Sequence, residues 1–310
     1  IAEVRHLRSE QFPEDAGPLA HPVRPTKYRE INNFYTTTVY EKGSEVTRMI
    51  ATILGRDDFK KGMDLYFERH DGDASTVEDF VKCFEDASGR DLTQFSLWYH
   101  QAGTPQITVS STYDASAKTL TLSLEQMIPA TPGQSAKEPF VIPVSLGLLS
   151  ADGAQLPLQL AHWTQPEAGS RTFVLTQDSE SFTFVNVDAE PVPSILRGFS
   201  APVVLDAEYT DAQLLSLLAH DTDAFNRWEA GQRLALRRAL AAIRAEGPVP
   251  HEPLDTAYLG AMRDVLRHPT LDAAFKELVL TLPGETYIAE QLDVVDPQRI
   301  HAVRETMREH

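Results

Sequence analysis

The chain has 310 residues, of which 42% are hydrophobic and 24% charged, the balance of a soluble globular protein with room for two or more domains. Its 28 Lys+Arg against 45 Asp+Glu give a formal net charge of −17, which argues against nucleic acid as a partner, since phosphate binding needs a concentrated basic face. The single cysteine excludes an intrachain disulfide, and no apolar run nears the roughly 18 residues of a membrane helix.

The first residue is Ile1 rather than Met, so the chain reads as a piece cut from something longer. Residues 1–103 read as helical after an irregular start. Pro13, Pro18, Pro22 and Pro25 are expected to keep 9–27 out of regular helix, because proline lacks a donor and restrains its predecessor. A first helix is predicted after Tyr40, with Val46, Met49, Ile50, Ile53 and Leu54 on one face and Gly55 as its stop. A second starts at Asp57, with Phe59, Met63, Tyr66 and Phe67 in helical register, and ends at Asp71-Gly72. A third opens on Ser75 as N-cap with Glu78 three residues on. It would carry Cys83 as a core-side thiol among Val77, Phe80, Val81 and Phe84. The last starts near Asp91 and carries Leu92, Phe95, Trp98 and Tyr99 as far as Gly103.

The period then changes from helical to alternating. Residues 106–110, 119–124, 141–146, 171–175 and 182–187 read as short half-buried strands, separated by turn-rich pieces at 129–133 and 151–153. Strands without helices between them predict a small β-sandwich over 104–205, with Pro143 at an edge or bulge. After Asp206 the helical period returns. Thr210 is placed to cap one helix, and Asp221 or Thr222 a long one bearing Phe225, Trp228, Ala235, Leu236, Ala239, Leu240 and Ile243. Further helices are predicted at 253–268, 270–281, 285–292 and 297–309. Successive short helices of this kind suggest a stacked α-solenoid. It breaks off at His310 without a cap, so this end also reads as cut.

The chemistry-bearing motifs are incomplete. A peptidase zinc site needs two His one turn apart on a helix plus a carboxylate, typically as His-Glu-x-x-His. His251-Glu252 begins that way but continues Pro253-Leu254-Asp255, which reads as a loop entering a helix. His70 and His220 sit at predicted helix ends, where a partly cationic ring suits the dipole. No glycine-rich phosphate loop, Gly-x-Ser-x-Gly elbow or Cys-x-x-Cys occurs. From spacing alone, Tyr40 reads as a tyrosine packed on the Val46/Ile50 helix and Tyr35 as loop packing.

The run Asn32-Asn33-Phe34-Tyr35-Thr36-Thr37-Thr38-Val39-Tyr40-Glu41-Lys42-Gly43 nevertheless resembles the transition-state tyrosine segment of the bacterial aminopeptidase N group of M1 zinc metallopeptidases. Further landmarks follow in the same order. They are Gln11-Phe12-Pro13-Glu14-Asp15-Ala16, Ala20-His21-Pro22-Val23-Arg24-Pro25, Tyr66-Phe67-Glu68-Arg69-His70-Asp71-Gly72, Trp98-Tyr99-His100-Gln101-Ala102-Gly103-Thr104-Pro105, Pro129-Ala130-Thr131-Pro132 and Phe199-Ser200-Ala201-Pro202-Val203. Tyr-x-Lys-Gly alone is weak; the ordered series is specific.

The resemblance implies a multidomain α and β protein: residues 1–103 as the helical end of a thermolysin-like catalytic domain, 104–205 as a β-sandwich domain, and 206–310 as the start of a C-terminal α-solenoid. It implies that Tyr40 hydrogen-bonds the oxyanion of the tetrahedral intermediate, just before a helix opened by Glu41-Lys42-Gly43, and that Tyr35 lines the pocket for the substrate's first side chain. By their own chemistry, Asn32 and Asn33 are placed to cap turns, with positioning of substrate backbone as the alternative, Lys42 to pair with a nearby carboxylate without a chemical role, and Arg24, between two prolines, to brace the loop before the site. Zinc would be bound by residues upstream of this sequence, leaving metal ligands absent here and the piece alone inactive. The parent is expected to be a cytoplasmic, monomeric, broad-specificity aminopeptidase acting on peptides with a free N-terminus. Two other readings stay open: a non-catalytic scaffold or peptide-interaction module, and an epoxide hydrolase relative, against which the β-sandwich argues.

Overall fold

A computed structural model describes all 310 residues. Helix α1 (Ala2–His6), a π-helical stretch (Leu7–Gln11) and α2 (Phe12–Ala16) form one continuous helical run. Helix was not expected past residue 9, yet the run continues through Pro13 in α2, which follows directly on the π-helical stretch. Residues 17–30 are irregular, as the later prolines require. A 3₁₀ turn (Ile31–Phe34) and a π-helical turn (Thr38–Lys42) lead straight into α3 (Gly43–Leu54). Tyr40 therefore stands inside a helical run and not ahead of one.

Helix α3 buries Val46, Met49, Ile50 and Leu54 on one face and stops at Gly55, whose φ of 81° suits a residue without Cβ. Helices α4 (Arg56–His70) and α5 (Val77–Ser88) pair around Phe59, Phe80 and Phe84. The cap of α5 is Thr76, which exchanges hydrogen bonds with Asp79, and not Ser75. Ser75 and Thr76 both precede an acidic residue by three. The Ser75 hydroxyl is 2.7 Å from that of Tyr66, which leaves Thr76 to cap. Only Leu97–His100 (α6) of the last predicted helix is regular, because the Asp91 carboxylate turns the chain by accepting from Thr93 N at 2.8 Å. Trp98 and Tyr99 are buried as their spacing implied.

Strands β1 (Gln106–Asp114), β2 (Thr119–Met127), β3 (Ile142–Leu149), β4 (Gln155–Leu156), β5 (Ser170–Leu175), β6 (Ser179–Phe184), β7 (Val192–Ile195) and β8 (Val204–Ala207) form two sheets. One has the order β6-β2-β1-β8, with β8 parallel to β1; the other sets β4, β5 and β7 against β3. Ile107, Leu120, Leu122, Leu124, Val144, Leu146 and Phe173 from the two sheets share one core. The short β4, β7 and β8 escaped the alternation test, since two to four residues carry too little period. Pro143 lies opposite Val174 of β5, while β7 covers β3 only from Leu146 onward. The neighbouring Ser145 N–H turns away from β5 to Ser200 Oγ, so the missing proline donor also falls on a side without a strand.

Helices α7 (Asp211–His220), α8 (Ala224–Arg244), α9 (Thr256–Arg267), α10 (Ala273–Leu280), α11 (Glu285–Ala289) and α12 (Pro297–Glu309) follow, with α8 at the centre of the stack. Thr210 caps α7 as expected, but Asp223 caps α8, in place of Asp221 or Thr222. Asp221 is withdrawn into a buried cluster, where it receives hydrogen bonds from Ser194 and from Arg197 at 2.8 Å. Arg197 and Asp221 thus pin the helical stack to the sandwich. Arg8 and Glu229, 2.7 Å apart, pin it to the N-terminal helix. The architecture is a helical N-terminal region, a two-sheet β-sandwich and a C-terminal stack of helices.

Candidate active-site surface around Tyr40

Tyr40 and Tyr35 come together on one surface. Their rings stack at 6.2 Å between centroids and 23° between planes. Tyr40 is 58% exposed and Tyr35 57%, so neither serves the core. Tyr40 is not packed under the Val46/Ile50 face, as spacing alone suggested. Phe34 meets Tyr35 edge-on at 6.0 Å, and Tyr28 meets Phe34 at 5.9 Å. These rings form a chain of aromatic contacts that ends on Tyr40.

The turn bearing Tyr40 is rigidly mounted. Glu14, near the end of α2, accepts from Thr37 Oγ1 at 2.8 Å with one carboxylate oxygen. With the other it accepts from Thr38 N at 3.0 Å and Thr38 Oγ1 at 2.6 Å. Burial works to raise the Glu14 carboxyl, but the bonds from Thr38 and Thr37 together outweigh it and hold the group below the usual carboxylate range. Asp15, the next residue, takes the other end of the turn: Lys42 Nζ donates to its Oδ2 at 2.6 Å. Lys42 also donates to the Gly103 carbonyl at 3.1 Å, while Asp15 accepts from Gly103 N and Thr104 Oγ1. For Asp15, too, burial pushes upward, and the Lys42 ammonium with the surrounding donors wins, so its carboxyl lies low.

The remaining candidates are spread over the chain. Asn33 Oδ1 accepts from Glu30 N at 3.2 Å, a turn-capping contact. Arg24 lies 3.1 Å from Glu78 of α5, and its backbone N–H donates to the Tyr99 carbonyl, which ties the loop before the site to two helical segments. Glu41 is 3.9 Å from His6. Cys83 is buried on α5. His70 and His220 lie in last helical turns, and His251-Glu252 lies outside any helix. No group of three His, Cys, Asp or Glu side chains converges as metal ligands would. Sequence reading missed Glu14, His21 and the three threonines as parts of the site. The only signal was their presence in the quoted runs, since contacts 23 and 24 residues apart leave no local pattern.

Residues 3–99 match the peptidase family M1 domain, 103–208 a domain of unknown function with an Ig-like fold, and 211–310 its C-terminal companion of ARM repeats. Aminopeptidase N of Escherichia coli is 44% identical over 99% of this chain, and that of Caulobacter vibrioides 47% over 99%. The chain spans about a third of the length of these curated relatives, 35% and 34%. A solved structure of Legionella pneumophila aminopeptidase A in complex with aspartic acid superposes with a TM-score of 0.80 at 26% identity, over 93% of this chain and 31% of that one.

Proposed function

The chain belongs to the M1 peptidase family, and on that premise we propose that it is part of a broad-specificity aminopeptidase in which Tyr40 stabilises the tetrahedral oxyanion. The substrates are peptides with a free N-terminus. The reading divides the chain at the end of a catalytic domain (1–103), a sandwich (104–205, its last strand β8 running on to Ala207) and the start of a helical domain (206–310). The observation that carries it is the exposed Tyr35–Tyr40 stack on a turn anchored at both ends.

A tyrosine hydroxyl suits the task. It is a neutral donor at pH 7, and here its ring stacks on Tyr35 above an anchored turn, so little reorganisation is needed as the carbonyl oxygen becomes anionic. Tyr35 offers an uncharged aromatic wall, which accepts aliphatic and basic side chains alike. Zinc is the metal the family resemblance implies, but these residues do not fit a zinc site: no three candidate ligands converge. We assign the metal and the general base to residues outside this sequence, and to this chain only the oxyanion contact and one wall of the pocket. The chain alone should then neither bind zinc nor hydrolyse peptides. We further expect a monomeric, cytoplasmic parent enzyme; no helix here is long and apolar enough to cross a membrane.

The test is Tyr40→Phe in the longer protein that contains this chain, followed by alanine p-nitroanilide turnover. Loss of one oxyanion donor should lower kcat by roughly 10²–10³-fold with KM little changed. A kcat within about threefold of wild type would remove Tyr40 from the mechanism. Zinc content and turnover of the 310-residue chain alone form the companion measurement.

A further inference from the structure

The run Thr36-Thr37-Thr38 and its partners Glu14 and His21 enter the reading above only as an anchor of the Tyr40 turn. Each threonine hydroxyl is used. Thr37 and Thr38 donate to the two oxygens of Glu14 at 2.8 and 2.6 Å, and the Thr38 backbone N–H adds a third bond at 3.0 Å. Thr36 Oγ1 lies 2.9 Å from His21 Nε2 and accepts from Val39 N at 3.2 Å. His21 Nδ1 faces the Leu19 carbonyl at 2.9 Å, an acceptor only, so Nδ1 carries the proton. In the neutral ring Nε2 is then the acceptor for the Thr36 hydroxyl. Tyr40 N–H, in turn, donates to the Thr36 carbonyl at 3.1 Å. The rack therefore starts at a carboxylate on α2, runs through three consecutive threonines and ends on the backbone of Tyr40.

The geometry points to Glu14 as the positioning residue that sets the direction of the Tyr40 phenol, by clamping Thr37 and Thr38 at the start of its turn. The carboxylate accepts on one oxygen from the Thr37 hydroxyl and on the other from the Thr38 hydroxyl and amide. Without it two hydroxyls and an amide lose their partners, and the turn is free to shift. Glu14 touches no reacting atom; it acts through Tyr40. A displacement near 1 Å at the phenol suffices to cost roughly 10²-fold in rate.

The inference rests on Tyr40 as the oxyanion donor, and a double-mutant cycle separates the two. In the longer protein, Glu14→Ala should lower kcat for alanine p-nitroanilide by roughly 10–100-fold, with KM within about threefold. In a Tyr40→Phe background the same change should have almost no further effect on kcat, because the group it positions is gone. Glu14→Gln, which keeps one acceptor oxygen for Thr38, should recover most of the rate. If Tyr40→Phe alone leaves kcat unchanged, the oxyanion reading fails, and this inference with it. If Tyr40→Phe is slow but Glu14→Ala is as fast as wild type, or slows both backgrounds equally, only the positioning role is overturned. Should Glu14→Ala not fold, Thr37→Val decides. It removes one bond of the rack, and a kcat loss seen only with Tyr40 present supports the role, while no loss or equal loss in both backgrounds overturns it.

Discussion

Lys42 Nζ lies 2.6 Å from Asp15 Oδ2 with both side chains cut off from water, and the pair joins the helical run before the site to the turn that carries Tyr40. Gly103 and Thr104, where the sandwich begins, complete the hydrogen bonding of both groups. A buried pair of this kind gains little over apolar packing, yet losing one member strands a charge. Lys42→Met should therefore destabilise the fold by roughly 3–5 kcal/mol in denaturant titration. Adding Asp15→Asn should recover part of that loss, since the amide oxygen still accepts and no charge is left behind. Additive costs for the two changes would show that the pair is not coupled.

Glu229 gives the stability an acid limb. Burial favours its neutral form, but the guanidinium of Arg8 and then that of Arg233 outweigh it and pull the carboxyl from an ordinary 4.5 down to about 2. Arg8 contacts both carboxylate oxygens and lies 5.7 Å from the ring centroids of Trp228 and Tyr287. The folded pKa lies below the unfolded one, so the contribution is complete above pH 4.5 and lost as pH falls toward 2. Its size is on the order of 3 kcal/mol. Urea unfolding at pH 6 and pH 3 should show a smaller acid loss for Glu229→Gln than for wild type. An equal loss would place the acid sensitivity elsewhere.

Gly62 marks a close approach. A Cβ there would overlap the ring of Phe84, which is itself held between Phe59 and Phe80. Alanine is the better helix former by about 1 kcal/mol. Even so, Gly62→Ala should lower the melting temperature, because overpacking a closed aromatic cluster costs roughly 1–3 kcal/mol. A raised Tm would mean that the Phe84 ring can swing aside.

The role proposed for Tyr35 lies in substrate choice and not in the chemical step. In the longer protein Tyr35→Ala should raise KM by roughly 2–10-fold, most for aromatic first residues, with kcat nearly unchanged. Tyr35→Phe should behave as wild type. A loss confined to kcat would assign Tyr35 to the transition state instead.

The helix after Tyr40, the α5 region, the alternating strands and the α7 cap were legible because each depends on residues within a few positions of one another. Apolar spacing on Val46, Met49 and Ile50, alternation in 119–124 and the Thr210 cap are patterns of this local kind. Ser75 against Thr76, and Asp221 against Asp223, show the limit. Either residue satisfies the local rule, and the choice falls to distant partners, Tyr66 in one case and Arg197 in the other.

The same division holds at the site. Read as residues in order, the chain already shows that Tyr35 and Tyr40 lie five residues apart in a recognisable run, that no complete zinc motif accompanies them, and that strands separate two helical regions. That order does not show that the two rings stack, that Tyr40 sits within a π-helical turn, or that Glu14 and Asp15 divide the two ends of that turn between them. Those features depend on contacts between residues far apart in the chain. Hydrogen bonds and ion pairs of this kind need only that groups meet in space, and they impose no period or spacing on the sequence that makes them.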